Sequence, residues 1–165
     1  MNSKNQHLHV SPKRRVLIVD DTPSNLVVLS AVLTDYDILS AGSGREALEL
    51  LEKNEVDVII LDIQMPGMDG YETARRIKKM EHFRHTPIVF VTAAFKEDTH
   101  VLKGYEAGGI DYFAKPFNPD ILKMKIDIYA SFRQMAALLK EKEKRILELE
   151  SLLKAAKDHS SHKSH

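Results

Sequence analysis

The stretch Val58-Ile59-Ile60-Leu61-Asp62 decides the fold, because four consecutive apolar residues run directly into one carboxylate. A short, continuous run that is mostly β-branched is typical of a strand buried on both faces of a parallel sheet. In open α/β sheets, ligands bind in the crevice beyond the carboxyl ends of such strands, so we expect Asp62 to lie at a binding site. The segment 64–70, which contains one proline and two glycines, predicts a shaped loop beside it.

Apolar runs of the same kind alternate along the chain with segments of helical spacing. The predicted strands are residues 16–19, 38–41, 58–61, 88–92 and 110–114. Predicted helices begin at Thr22-Pro23, Ser43, Asp69 and Asn118-Pro119, and one more contains Val101, Leu102 and Tyr105. This alternation indicates an α/β protein with a doubly wound, five-stranded parallel sheet and an extended C-terminal helix.

Composition and charge exclude several classes of function. The chain has 165 residues, and 24 lysines and arginines balance 24 aspartates and glutamates, so no broad positive field attracts nucleic acid or acidic lipid. The absence of cysteine excludes disulfides, thiolate zinc sites and cysteine nucleophiles. No apolar run approaches the roughly 20 residues of a membrane-spanning helix, and the N-terminus lacks the apolar core of a signal peptide. We expect a cytoplasmic protein with no nucleic-acid and no membrane partner.

The chain length accommodates one full hydrophobic core and an appendage. We predict a disordered N-terminal segment at 1–12, a compact domain at 13–132, a coiled-coil extension of the last helix at 133–157 and a disordered polar tail at 158–165. Three histidines in the tail could bind a metal by their spacing, but the polar composition favours disorder.

Polar side chains follow four of the predicted strands at the points where the strands end. They are Asp20, Asp21, Asp62, Thr92 and Lys115. Because the carboxyl ends of parallel strands lie along one edge, we expect these residues to share one crevice. Carboxylates that lie this close repel one another unless a cation neutralises them, and hard oxygen ligands suit Mg²⁺. A metal and a lysine can clamp a phosphoryl group, and a carboxylate can attack phosphorus to form an aspartyl-phosphate.

Each of these residues, taken alone, also has a purely structural explanation. Asp62 could be a turn residue, and the pair Asp20-Asp21 could cap the helix that follows. Thr92 could be a strand-end hydroxyl with an internal partner, and Lys115 a solvated cation. Their occurrence in this order on successive strand ends favours a phosphoryl-accepting site.

The same residues resemble the receiver domain of two-component response regulators over roughly residues 13–132. The matching motifs are Asp20-Asp21, the strand ending at Asp62, the loop Met65-Pro66-Gly67-Met68-Asp69-Gly70, Thr92-Ala93 and Tyr112-Phe113-Ala114-Lys115-Pro116-Phe117. The resemblance implies a flavodoxin-like receiver fold with a cis peptide bond between Lys115 and Pro116.

The resemblance also implies a role for each matched residue. Asp62 would be the phosphoryl acceptor and would bind Mg²⁺ together with the Asp21 side chain, the Gln64 backbone carbonyl and Asp20, the last directly or through water. Lys115, the Thr92 hydroxyl and the Ala93 amide would contact the phosphoryl oxygens, and Tyr112 would be the aromatic switch residue.

The leading hypothesis is therefore a response regulator that receives a phosphoryl group from a sensor histidine kinase or a histidine phosphotransfer protein. The chain would be a stand-alone regulator or the receiver part of a larger hybrid kinase or output-domain protein. It would not be an enzyme beyond its own phosphorylation and dephosphorylation. One alternative is a magnesium-dependent aspartyl-phosphate phosphatase, but such enzymes usually carry a second acid just after the nucleophile, where this chain has Ile63 and Gln64. Another is a degenerate receiver that only holds a dimer together, which the complete set of acids argues against.

The last predicted helix keeps an apolar heptad pattern far beyond the compact domain. Its a and d positions are Ile128, Phe132, Met135, Leu139, Lys142, Ile146, Leu149, Leu153 and Ala156. Arg145 at g and Glu150 at the following e attract each other across a parallel dimer. Since an exposed single helix is only marginally stable, we expect a homodimer through residues 128–156, which truncation after Met135 makes monomeric. The alternatives are a helix that folds back on its own domain and a linker to a further segment.

Overall fold

The computed structural model describes residues 13–93 and 98–163, so the predicted disordered segment 1–12 lies outside the described residues. The strands are β1 (Arg15–Val19), β2 (Asp37–Ala41), β3 (Val58–Leu61), β4 (Ile88–Thr92) and β5 (Asp111–Ala114). They form one parallel sheet in the order β2-β1-β3-β4-β5. The predicted doubly wound, five-stranded fold is therefore confirmed.

Helices follow each strand. They are α1 (Pro23–Val32), α2 (Gly44–Leu51), α3 (Gly70–Lys79), α4 (Asp98–Glu106) and α5 (Pro119–Ser161), with a short 3₁₀ helix at Glu81–Phe83 before β4. Side-chain caps explain three of the helix starts. The Ser43 hydroxyl accepts from the backbone N–H of Glu46 at 3.1 Å, and Asp69 accepts from that of Glu72 at 2.8 Å. The Asn118 side chain accepts from the backbone N–H of Asp120 at 2.9 Å.

The sheet is buried on both faces because neighbouring residues of each central strand point to opposite sides. In β1, Leu17 and Val19 join one apolar cluster, and Val16 and Ile18 join the other. The first cluster includes residues of α2 and α3, and the second includes residues of α1 and the beginning of α5. This packing explains why the central strands are continuous apolar runs rather than alternating ones.

Helix α4 differs from its sequence-based description. Leu102 and Tyr105, two of the apolar residues from which the helix was predicted, are 58% and 50% exposed. The helix instead approaches the sheet at Gly104, which is buried. A Cβ atom at Gly104 would lie 3.2 Å from the Phe90 ring. Strand β5 begins at Asp111, one residue later than predicted.

The contacts divide the chain into two compact units, with the division after Ala130. Helix α5 continues from the first unit into the second and ends at Ser161, so it covers four residues of the segment predicted to be a disordered tail. The Ser161 hydroxyl donates to the Lys157 carbonyl oxygen at 3.0 Å, and no glycine or proline in residues 158–161 stops the helix. The assignment of residues 133–157 to a coiled coil stays a prediction. Within the described ranges, no helix combines the length and the apolar character needed to cross a membrane.

Candidate functional site

Three aspartates meet at the carboxyl ends of β1 and β3, which are neighbours in the sheet. Asp20 and Asp21 directly follow β1, and Asp62 directly follows β3. One carboxylate oxygen of each lies within 4.8 Å of the other two. Asp20 and Asp62 are buried, with exposed fractions of 1% and 7%, whereas Asp21 is exposed. The predicted convergence of the three acids is thus observed.

Backbone contacts hold Asp62 in position. Its N–H donates to the carbonyl oxygen of Val19 at 2.9 Å, which ties the end of β3 to the end of β1. The loop that follows is closed by a hydrogen bond from the Gly70 N–H to the Ile63 carbonyl oxygen at 2.8 Å. A Cβ atom at Gly70 would lie 2.3 Å from the carbonyl oxygen of Asp62, so only glycine permits this close approach. The start of α3 therefore packs directly against the backbone that carries the central aspartate.

Asp20 is surrounded by hydrogen-bond donors. The Lys115 ammonium lies 3.0 Å from one of its carboxylate oxygens. The Thr22 backbone N–H donates at 2.9 Å, and the Asn25 amide lies 3.2 and 3.1 Å from the two oxygens. These donors compensate for the removal of a charged group from water. Lys115 and Asp20, which are 95 positions apart in sequence, are thereby fixed beside each other.

The electrostatic environment of Asp62 disfavours its charge. Burial raises the pKa of Asp62, and the neighbouring Asp20 carboxylate raises it further, while the Lys115 ammonium opposes both effects. Three carboxylates against the single ammonium of Lys115 leave a surplus of negative charge within the cluster. The arrangement is suited to a multivalent cation, which would favour the ionised and nucleophilic form of Asp62.

Strand β4, which lies between β3 and β5, adds a hydroxyl group at the end of the sheet that carries the site. Thr92 ends β4 and is fully buried. Thr92 pairs with Ala114 in the register of β4 and β5, and the Lys115 N–H donates to the Thr92 carbonyl oxygen at 2.8 Å. The following residue, Ala93, is exposed, as is Gln64, which lies in the loop two residues after Asp62.

Tyr112 lies in β5, the strand that Lys115 follows, and is further from the carboxyl end of the sheet than Lys115. In the register of β4 and β5 it pairs with Phe90, and it packs against the apolar cluster beneath α2 and α3. Burial raises the pKa of its phenol. The peptide bond between Lys115 and Pro116 is cis, as the resemblance implied.

Sequence reasoning missed two residues that shape the site. Asn25 holds the Asp20 carboxylate, and its position in the first turn of α1 was the available signal, because that acid lies between β1 and α1. Gly70 appeared only as loop punctuation. Glycine is required at this position because α3 approaches the end of β3 so closely that a Cβ atom does not fit. The local sequence does not report this approach.

Comparison with known proteins covers the part of the chain that carries this cluster. Residues 16–127 match the family described as the response regulator receiver domain. A probable cyclic di-GMP phosphodiesterase of Vibrio cholerae is 37% identical over 125 residues, which cover 75% of this chain and 28% of the relative. The response regulator PleD of Caulobacter vibrioides is 33% identical over 131 residues, which cover 78% of this chain and 29% of the relative. The chain thus spans less than a third of the length of these curated relatives.

Solved structures match the same part of the chain. The chemotaxis protein CheY4 of Vibrio cholerae has a TM-score of 0.67 and 33% identity, and the match covers 71% of this chain and 98% of that structure. A CheY-like response regulator receiver domain protein from Methanospirillum hungatei has a TM-score of 0.69 and 25% identity, with 75% and 98% covered. Both matches cover nearly all of the solved chain and about three quarters of this one.

Proposed function

Since the chain belongs to the response regulator receiver domain family, we propose that Asp62 accepts a phosphoryl group from a histidine kinase or a histidine phosphotransfer protein. The observation that carries this proposal is the meeting of Asp62 with Asp20, Asp21 and Lys115 at one end of the sheet. In the proposed reaction, a carboxylate oxygen of Asp62 attacks phosphorus, and the bond from phosphorus to the donor histidine nitrogen breaks. An acyl phosphate forms on Asp62 and the donor histidine is regenerated.

The chain's own residues would orient the transferred group. Lys115 is held in the site by its ion pair with Asp20 at 3.0 Å, and its ammonium can donate to a phosphoryl oxygen. The hydroxyl of Thr92, the last residue of β4, and the backbone N–H of Ala93, the next residue, would donate to the remaining oxygens. Movement of Thr92 toward the phosphoryl group would let Tyr112, on the adjacent strand, change its position. The proposed output is therefore a conformational switch rather than turnover of an external substrate.

The donor set also fits a magnesium ion. Side-chain oxygens of Asp20, Asp21 and Asp62 lie within 4.8 Å of one another, and the backbone carbonyl of Gln64 is the further ligand we propose. When bound, Mg²⁺ would supply positive charge that keeps Asp62 ionised and neutralises the phosphoryl oxygens. Asp21 would contribute its charge from the exposed side of the cluster, since it is the exposed member of the three.

The acceptor assignment can be tested with acetyl phosphate and Mg²⁺. Intact mass spectrometry should show the addition of one phosphoryl group to the wild-type chain and none to Asp62→Asn. Asp69→Asn is the matched control, because Asp69 lies in the same loop outside the cluster and asparagine preserves its capping role. Labelling that persists in Asp62→Asn would refute the assignment. Steady turnover of varied phosphomonoesters would instead support the phosphatase alternative.

We also propose that residues 128–156 of α5 associate with the same residues of a second copy. Apart from Lys142, the heptad positions from Met135 onward are exposed apolar side chains on one helix. Light scattering should give the mass of a dimer for the full chain and of a monomer for Leu149→Glu, which places a charge among these heptad positions. A monomeric full chain at micromolar concentration would contradict this second proposal and leave the phosphoryl acceptor untouched.

A further inference from the structure

Helix α5 carries a stripe of exposed apolar residues within the unit that begins at Ser131. Its members, which we call the seam, are Met135, Leu139, Ile146, Leu149 and Leu153 together with Lys142 and Ala156. The five large apolar members are between 45% and 61% exposed. Their spacing alternates between four and three residues, which is the period of a left-handed coiled coil. From residue 135 to residue 156 the seam is about 32 Å long.

The charges beside the seam indicate the direction in which two copies pair. Glu143 and Glu150 occupy successive e positions, and Arg145 occupies the g position between them. In a parallel pair, g of one helix meets the following e of the other, so Arg145 meets Glu150 twice. In an antiparallel pair, e positions face e positions, and these glutamates oppose one another. Self-complementary charge therefore favours a second copy of this chain in the parallel direction.

Within the single helix, Arg145 already pairs with Glu148 at 3.2 Å. Both side chains are largely exposed, at 67% and 48%, and such a pair contributes little to stability. Arg145 can therefore exchange this partner for Glu150 of a second copy without a large loss.

Lys142 is the single charged residue in the seam between residues 135 and 156. If the two helices slipped by one heptad, one of the two Lys142 side chains would be placed against Met135 of the other copy, beside Ala136, and would lose its hydration without an acidic partner. When the helices are in register, the two Lys142 side chains share one layer, and Glu143 of the other copy lies beside each of them. A polar layer of this kind lowers stability but selects a single register.

Building on the dimer proposed above, we propose that two copies of the chain associate through α5 as a parallel, in-register coiled coil whose register is selected by Lys142. The occupant of the seam is thus a second copy of the same helix, aligned residue for residue. The charges at Arg145 and Glu150 already favour the parallel direction, and the inference adds the register, which the dimer proposal leaves open.

Cysteine cross-linking tests the direction, because the chain contains no cysteine of its own. Under oxidised glutathione, Leu139→Cys and Leu153→Cys should each give more than half of the chain as disulfide-linked dimer. Lys144→Cys, on the opposite face of the helix, is the control and should give at least ten-fold less. In a mixture of the two seam variants, peptide mass spectrometry should find links between like positions only. Links between residues 139 and 153 would show an antiparallel pair and overturn the inference.

A charge exchange tests the pairing independently. Arg145→Glu and Glu150→Arg should each weaken the dimer at least ten-fold in sedimentation equilibrium, and an equimolar mixture of the two should recover the wild-type affinity. Glu148→Gln is the control for loss of the pair within the helix and should leave the affinity within two-fold. A mixture that stays weak would overturn the parallel pairing.

A third variant tests the register. Lys142→Leu should tighten the dimer at least ten-fold and, when combined with Leu139→Cys and Ile146→Cys in separate chains, should allow links between residues 139 and 146. Chains that keep Lys142 should not form these links. Links between residues 139 and 146 in those chains would contradict the proposed selection of the register by Lys142. A monomer in every experiment would refute the dimer itself, whereas acetyl phosphate labelling of Asp62 reads the acceptor function separately.

Discussion

The acidic cluster and the seam of α5 are two opposite departures from the ordinary arrangement of a folded chain. In the cluster, two of the three carboxyl groups are buried at the end of the sheet. In the seam, large apolar side chains are exposed along a helix. Buried charge is stabilised by a counter-charge and exposed apolar surface by removal from water. Under the functions proposed above, each region would be completed from outside, the acidic cluster by a cation and the seam by the apolar side chains of a second copy.

The two regions also differ in how much the surrounding chain supports them. Asp20 has donors from a lysine, an asparagine and a backbone N–H, so a change at the cluster alters the folded unit itself. The seam residues have large exposed fractions, so a change there alters association more than folding. Matched substitutions in the two regions therefore test this difference directly.

The largest expected difference comes from the same truncation at a buried and at an exposed isoleucine. Ile18 is fully buried in β1, and Ile146 is 55% exposed. Ile18→Ala should lower the free energy of unfolding by about 4 kcal/mol, because the lost burial and the cavity both contribute. Ile146→Ala should change it by less than about 0.5 kcal/mol. Tyrosine fluorescence in urea reports only the first unit, because all five tyrosines precede Ala130. Equal losses for the two variants would contradict the comparison.

The next largest effect is expected at the backbone that supports the acidic cluster. Gly70→Ala should lower the free energy of unfolding by about 3 kcal/mol, because its Cβ must displace the start of α3 from the Asp62 carbonyl. Gly42→Ala is the control, since a Cβ there would make an ordinary contact of 3.5 Å with the Glu46 carboxylate. Urea denaturation of both variants measures the difference. If Gly70→Ala were as stable as Gly42→Ala, the close approach would have no energetic significance.

Removing an ion pair should likewise cost more stability in the acidic cluster than on the exposed part of α5. In Mg²⁺-free buffer, Lys115→Met should cost about 2 kcal/mol, because it leaves the buried Asp20 carboxylate with one charged partner fewer. Glu148→Gln, which breaks the exposed pair with Arg145, should cost less than about 0.5 kcal/mol. Thermal denaturation followed by circular dichroism compares the two. A larger loss for Glu148→Gln would reverse the expected order.

The smallest of these effects concerns the half-buried carboxylate of Asp111, which forms an ion pair with Lys125 at 2.8 Å. Burial alone would raise the pKa of Asp111, but hydrogen bonds from Lys125 and Tyr129 outweigh burial and lower it. The stability from this carboxylate is therefore present above its ordinary pKa of 3.8 and is lost as the pH falls through the lowered value.

Asp111→Asn should accordingly cost about 1 kcal/mol at pH 7. The difference from the wild type should shrink once the pH falls below about 4. Urea denaturation at a series of pH values measures this trend. A difference that grows toward acid pH would show that the sign of the pKa shift is wrong.

Much of the fold could be predicted from the sequence because its signals are local. The apolar run that ends at Asp62, the proline at the start of α1 and the cap at Ser43 each act within a few neighbouring residues. The exposure of Leu102 and Tyr105 could not be predicted in this way. Their burial depends on how closely Gly104 and the Phe90 ring allow α4 to approach the sheet.

By itself, the sequence determined which elements form and which residues end each strand, because hydrophobic period and capping are set by neighbours along the chain. The tertiary structure alone decided that Asn25 and Lys115 would share Asp20, and that Gly70 would touch the backbone of Asp62. Those contacts depend on the strand order and register of the sheet, which bring together residues as far apart as 20 and 115. The seam of α5 is the opposite case, since its heptad spacing can be read along a single helix.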